Sequence, residues 1–158
     1  MALYVVDTSS FIVMSHYFPD RFPTFWTDLD RLVANGSLVS VSEVLKELSN
    51  QVTKPHLAAW LKKNKSLFTT PEPTETRNVA KIFSVTKFQA LLKRKDILEG
   101  KPVADPWVIA RAMALNGCVV TEESTKPNVL RIPQVCAHFN KLKCINLEGM
   151  MLEQSLRY

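Results

Sequence analysis

Four short apolar runs, Leu3–Val6, Leu38–Val41, Cys118–Thr121 and Lys143–Asn146, decide the fold class before any other feature is weighed. Each is continuous rather than alternating apolar and polar, the pattern of strands covered by helices on both faces of a parallel sheet. Ser66–Thr70 is a weaker fifth strand. Parallel neighbours cannot be joined by tight hairpins and need crossovers, and helical patterns stand between the runs.

The clearest of these is Phe22–Asn35, with Phe22, Phe25, Trp26, Leu29, Leu32 and Val33 at steps of three and four and Gly36 just beyond as a stop. Ser42–Asn50 opens on an N-capping residue type, and Pro55–Asn64 and Asn78–Arg94 are further helices, separated by the Pro-bearing loop Thr70–Thr76. Pro106 in Asp105–Asn116 reads as the first helical position, which makes Asp105 the N-cap, and Gly117 closes the element. A last helix runs near Leu147–Leu156. Trp26 and Trp60 read as core. The expected architecture is one domain over residues 1–158, α/β in class, three layers α/β/α around a mainly parallel sheet of four to five strands. A chain of 158 residues buries roughly two thirds of its unfolded surface, enough for a real core without staples.

Composition excludes several classes. Hydrophobic residues at 46% and charged residues at 22% argue against a disordered chain. No apolar run approaches the ~20 residues needed to cross a bilayer, so no membrane partner is expected. The three cysteines, Cys118, Cys136 and Cys144, are odd in number and no signal peptide precedes the first strand, so a reducing cytoplasm is the expected compartment. Cys136, His138 and Cys144 lack the paired knuckles of zinc sites, and His16, His56 and His138 read as structural. A net charge of +5 and a pI near 9.2 favour a polyanionic partner, nucleic acid first.

In a parallel α/β sheet, ligands bind at the C-terminal ends of the strands, and carboxylates fall there. Asp7 follows the first strand directly; Glu43 and Glu47 lie in the opening turns of the helix after the second; Glu122 and Glu123 follow Cys118–Thr121, and Asp105 opens the helix that feeds that strand. Singly, each has an ordinary reading: Asp7 as a turn residue, Asp105 as an N-cap, Glu43, Glu122 and Glu123 as solvated surface. With Val44, Leu45 and Leu48 fixing the buried face of Ser42–Asn50, Glu47 lies roughly 105° and Glu43 roughly 145° from its middle. Glu47 is therefore nearer the buried boundary. Carboxylates gathered without a counterion would be driven up in pKa, and a hard divalent cation, Mg²⁺ or Mn²⁺, removes that cost. An all-oxygen cluster suits such an ion, which can activate water and neutralise a phosphodiester transition state.

The segments "YVVDTSSFI", "SVSEVLKEL" and "VADPWVIARAMALNGCVVTEE" resemble, in order and spacing, the motifs of the PIN-domain nucleases, including VapC-type toxins of bacterial toxin–antitoxin pairs. "FPTFWTDLDRLV" and "RIPQVCAHF" are similar to a PIN-like branch found beside helix-turn-helix antitoxins. The resemblance covers Leu3 to about Asn146. It implies metal-dependent hydrolysis of single-stranded RNA by water, with no covalent enzyme intermediate. Asp7 and Asp105 would hold the ion most directly, Glu47 would share it or position the water, and Glu123 would support a second ion. Thr8 or Ser9 and Thr121 match hydroxyl positions that orient ligands or water. Glu122 and Glu123 both remain candidates for an acid that many relatives carry as a shorter Asp or Asn. Lys62, Lys63, Lys65, Lys93, Arg94, Lys95 and Lys101 are candidates for the phosphate track, with a solvated helix face as the alternative. The implied partners are the RNA substrate, an antitoxin of helix-turn-helix type, and a second copy in a homodimer. Two rival readings are an inactive PIN-like RNA-binding or scaffolding domain and a phosphoacceptor receiver domain. The latter would want a second acid beside Asp7 and a lysine after a late strand, where Thr8 and Glu122 stand instead.

Overall fold

The apolar runs are the strands of one parallel sheet. In the computed structural model, which describes residues 2–92, 94–139 and 142–155, these are β1 (Tyr4–Val6), β2 (Leu38–Val41), β3 (Phe68–Thr69), β4 (Cys118–Val120) and β5 (Cys144–Ile145). The order is β3-β2-β1-β4-β5, with every pairing parallel. Val5 lies between Val39 and Val119, and Tyr4 between Leu38 and Cys118. Tyr4, Val5 and Val6 are fully buried because the central strand is covered on both faces, which is why its sequence does not alternate. The chain works outward from β1 through β2 to β3, then crosses back to β4, so the order reverses between β1 and β4. The C-terminal crevice at such a reversal is where this class of sheet places ligands.

Helices cover both faces: α1 (Thr8–Met14), α2 (Pro23–Ala34), α3 (Ser42–Gln51), α4 (Pro55–Lys63), α5 (Pro73–Phe83), α6 (Arg94–Leu98), α7 (Asp105–Leu115), α8 (Ile132–His138) and α9 (Leu147–Gln154), with short 3-10 turns at Lys65–Leu67 and Thr86–Leu91. The expected three-layer architecture is therefore present. The stripe of α2 buries Phe25, Trp26, Leu29 and Leu32. After it Gly36 takes φ +76° while Ser37 N–H reaches Leu32 O at 2.9 Å, a left-handed stop that glycine adopts without steric cost. Trp26 and Trp60 are core residues whose indole N–H groups donate to Tyr17 O (2.6 Å) and Asp30 Oδ1 (2.8 Å). His56 Nε2 lies 2.8 Å from Ser15 O, and His138 packs edge-on against Phe88. Cys118 and Cys136 are buried and all three cysteines are free thiols. Among the described residues no helix is long and apolar enough to cross a membrane.

The structure corrects the expected elements in four places. The helix expected over Asn78–Arg94 begins instead at Pro73 and ends at Phe83, so part of the expected loop is helical. Pro73 occupies the first turn, where its missing N–H costs nothing, and the Glu75 carboxylate takes the N–H of Glu72. Beyond Ser84 the 3-10 turn buries Phe88 and Leu91, and α6 follows as a separate element. Helices α1 and α8, like α6, lie outside the expected elements. Thr8, Ser9 and Ser10 favour turns locally, yet burial of Phe11 and Met14 carries α1. With seven residues and only Ile132, Val135 and Cys136 buried, α8 is too short to show a period.

The third correction concerns Asp105, which is the first residue of α7 rather than its N-cap, a position held by Ala104. The last concerns the end of that helix. Asn116, at φ +51°, makes the left-handed stop expected of Gly117. Gly117 is needed for a different reason: a Cβ there would sit 2.9 Å from Leu3 Cδ2 and 3.1 Å from Leu3 O, so the glycine allows β4 to start against β1.

Candidate functional site

Asp7 continues the β1–β4 ladder one step past the strand, its N–H donating to Val120 O at 2.9 Å. That places Asp7, with its side chain buried, at the C-terminal end of β1, where the strand order reverses. Asp7 occupies the N-cap position of α1, yet its carboxylate makes no capping bond. Instead Oδ2 accepts the hydroxyls of Ser9 and Thr121, each at 2.9 Å. Its other oxygen, Oδ1, is buried with no hydrogen-bond partner among the described residues. Burial pushes the Asp7 carboxyl above its ordinary value, and the Ser9 and Thr121 hydroxyls and the backbone of Thr8 and Ser9 offset only part of that. The turn-residue reading of Asp7 does not account for a buried oxygen left open.

Glu47 is joined to the same place. Its Oε2 accepts the Thr8 hydroxyl at 2.5 Å and its Oε1 the N–H of Ala104 at 2.9 Å. Burial also raises its carboxyl, with the charges of Asp7 and Glu43 adding to the rise, while Thr8 and Ala104 oppose it. The helix-face reading, which put Glu47 nearer the interior than Glu43, agrees with this. The bond to Ala104 brings the start of α7, and hence Asp105, beside the β1–α1 junction. Asp105 lines a cavity of about 340 Å³ together with Ser9, Leu91, Glu122, Glu123 and Arg131.

The two glutamates after β4 have distinct duties. Glu122 Oε1 accepts the Ser10 hydroxyl at 3.1 Å and the N–H of Leu147 at 2.8 Å, tying α1 to the first turn of α9. Glu123 Oε2 accepts the N–H of Ile132 at 2.9 Å and anchors the start of α8. Ser9 and Thr121 stitch the floor, their hydroxyls 3.2 Å apart, receiving the N–H groups of Glu122 and Glu123 respectively.

Among the described residues, Glu43, Lys62, Lys63 and Lys65 are not brought to this place. Glu43 pairs with Lys46 at 2.7 Å and lines a separate cavity with Trp107. Lys63 pairs with Asp30 at 2.9 Å, and Lys62, Lys63 and Lys65 stand where the chain enters β3, at the opposite edge of the parallel sheet. Lys101 pairs with Glu99 at 2.6 Å and lines a cavity with Glu47 and Asp96. Lys93 lies outside the described residues, as do the side chains of Arg94 and Lys95. A larger cavity of about 780 Å³ opens at the far edge beside Leu3 and Gly117 and contains none of the expected acids. Sequence reasoning missed Ser10, the Ala104 amide and Arg131. Only Arg131 carried a signal, its place in the quoted "RIPQVCAHF".

Among the described residues no three His, Cys, Asp or Glu side chains form a ready-made metal cage. The donors present are nevertheless all carboxylate and hydroxyl oxygens, and a buried carboxylate oxygen stands open. That set fits a hard dication held by one or two carboxylates, its remaining positions filled by water and phosphate.

Solved structures share this fold. The crystal structure of PAE2754 from Pyrobaculum aerophilum is 14% identical, covers 98% of this chain and 90% of its own, and superposes with a TM-score of 0.52. That of VapBC2 from Rickettsia felis bound to a DNA fragment from their promoter is 17% identical, with coverages of 91% and 98% and a TM-score of 0.56. At these identities the likeness is one of fold, and it is the PIN-like fold that the motifs implied. No curated protein matches the sequence. Residues 4–158 match the family described as a domain of unknown function, DUF4411, and the chain belongs to that family.

Proposed function

We propose that this chain is a metal-dependent ribonuclease of PIN type that hydrolyses single-stranded RNA, and that it is the toxin half of a toxin–antitoxin pair. The observation that carries the reading is Asp7 Oδ1. A carboxylate oxygen buried at a ligand-binding crevice without a hydrogen bond is costly unless a cation or a proton meets it. The toxin–antitoxin assignment draws on the fold shared with VapBC2. Ile97 and Leu98 on α6 are exposed (53% and 76%) close in sequence to Lys101, which shares a cavity with Glu47, and offer apolar surface to an antitoxin. A homodimer is what the resemblance to PIN-domain nucleases implies.

In this reading Asp7 and Asp105 would hold Mg²⁺ or Mn²⁺, with Glu47 sharing it or orienting water and Glu123 supporting a second ion. When bound, the cation supplies charge neutralisation at the phosphodiester and lowers the pKa of a bound water. The chain's own work is positional. Ser9 and Thr121 fix the Asp7 carboxylate through Oδ2 and leave Oδ1 without a hydrogen bond, and Thr8 and the Ala104 amide hold both oxygens of Glu47. The substrate of this reading is an extended strand, and water is the nucleophile.

One observation favours a second reading, an RNA-binding PIN-like domain without turnover: Glu122 and Glu123 are engaged by the amides of Leu147 and Ile132. Incubating an unstructured RNA with the chain and Mn²⁺ or Mg²⁺ separates the two. Cleavage that needs the metal and is lost in Asp7→Asn is the expected result; binding without cleavage selects the second reading. Metal-independent or Asp7-insensitive cleavage overturns the mechanism.

A further inference from the structure

Two of the three cysteines meet on one face of the sheet. Cys118 and Val119 are consecutive on β4 and so point to opposite faces. Cys118 stands in register with Tyr4 and Val119 with Cys144, so Cys144 shares the face of Val119 and Cys118 lies across the sheet from it. Helix α8 brings the partner. Its buried residues are Ile132, Val135 and Cys136, and beyond them the chain turns back, Leu142 N–H donating to Cys136 O at 3.0 Å shortly before β5 begins. The Cys136 thiol donates a hydrogen bond to the sulfur of Cys144. The two differ in access: Cys136 is 1% exposed, and Cys144 is half-buried. They also differ in acidity. The bond from Cys136 draws the Cys144 thiol below its ordinary value, against burial and the negative charges of Asp7 and Glu123. Bonding to Cys144 and burial push the Cys136 thiol up. An acidified, accessible thiol beside a buried, protonated one is the pairing of an attacking and a resolving cysteine. Among the described residues no third His, Cys, Asp or Glu joins them in a group able to hold a metal ion.

We propose that Cys136 and Cys144 are a redox-active dithiol that hydrogen peroxide converts to a disulfide within the chain. The Cys144 thiolate attacks the O–O bond and takes one oxygen to become a sulfenic acid; the other oxygen leaves as hydroxide and is protonated to water. Cys136 then gives up its proton and attacks the Cys144 sulfur, forming the S–S bond and expelling the second oxygen as water. The two thiols lose two electrons and two protons, and one peroxide becomes two waters. A dithiol reductant reverses the step by exchange. Once oxidised, the pair would staple α8 to β5. Both elements hold residues beyond β4: Ile132 N–H of α8 donates to Glu123 Oε2, and Ile145 O of β5 accepts the N–H of Thr121. This chemistry is independent of the nuclease reading.

The experiment treats the full chain with hydrogen peroxide, without metal or RNA, then counts free thiols by alkylation in denaturant and maps the peptides by mass spectrometry. The chain is expected to go from three free thiols to one, Cys118, with a Cys136–Cys144 linkage inside a single chain that dithiothreitol opens. In Cys136→Ser the resolving thiol is gone, so Cys144 should stop at the sulfenic acid, trapped by dimedone. In Cys144→Ser the buried Cys136 should stay a free thiol at peroxide concentrations that convert the wild type. Cys118→Ser should oxidise as the wild type does. Peptide mapping of the wild type needs no variant and decides the matter if a serine variant does not fold. Three thiols retained at peroxide concentrations that oxidise free cysteine would overturn the proposal. So would linkage through Cys118, linkage only between chains, or a sulfenic acid that persists on Cys144 of the wild type without linkage.

Discussion

The Thr8 hydroxyl reaches 39 positions along the chain to donate to Glu47 Oε2 at 2.5 Å, so the first residue of α1 holds an acid of α3 at the mouth of the sheet. A hydrogen bond to an ionised group contributes about 1.5–3 kcal/mol. Thr8→Val keeps the branched shape and removes the donor. It should cost about 1–3 kcal/mol at neutral pH, read by chemical denaturation, and less in acid, where Glu47 is protonated.

Asp7 should oppose stability in the metal-free chain. Burial raises the carboxyls of Asp7 and Glu47 above their ordinary values of 3.8 and 4.5. For a raised acid the folded state holds its proton more tightly than the unfolded one. Its penalty is absent below the ordinary value and sets in as pH climbs through the raised one. Asp7→Asn in the presence of chelator should therefore have a higher Tm than wild type at neutral pH, and the difference should shrink toward pH 4. A lower Tm at neutral pH would show that the open oxygen carries no such cost.

Divalent cation should reverse that order. An ion that binds only the folded state stabilises by RT ln(1 + [L]/Kd), about 2.7 kcal/mol at a hundredfold excess over Kd. Titration with Mn²⁺ should raise the wild-type Tm and leave Asp7→Asn unmoved.

Far from the crevice, Arg111 and Glu75 form a buried ion pair that joins α7 to α5, while Arg111 also donates to Ser40 O at 2.7 Å and to the Thr69 hydroxyl. Removing one partner leaves a buried charge. Glu75→Ala should cost about 3–5 kcal/mol, and pairing an apolar residue of matched volume at 75 with Arg111→Met should recover much of it.

Gly117→Ala tests the contact between β4 and β1. Its methyl group would meet the Leu3 carbonyl oxygen at 3.1 Å, the same oxygen that accepts the N–H of Cys118. Overpacking of this kind costs about 1–3 kcal/mol, and the Tm should fall accordingly with RNA chemistry unaffected.

How far the sequence could be read follows from what each element depends on. Strands β1, β2 and β4 and helix α2 declare themselves because burial on both faces, or on one stripe, is written into consecutive residues. Asp7 and Glu47 could be placed because strand ends and a helix face locate them. What Glu122 and Glu123 do could not be read, since it depends on where α8 and α9 begin, and α8 is too short to show a period.

The central claim is that Asp7 Oδ1 faces a cation in the crevice between β1 and β4. Anomalous diffraction from crystals soaked in Mn²⁺ tests it most directly. The account predicts a peak within coordination distance of Asp7 Oδ1, about 2.0–2.2 Å, with Asp105 or Glu47 in its direct or water-bridged surroundings, and loss of that peak in Asp7→Asn. A crevice without manganese at saturating metal, or an ion bound elsewhere and indifferent to Asp7, would contradict it.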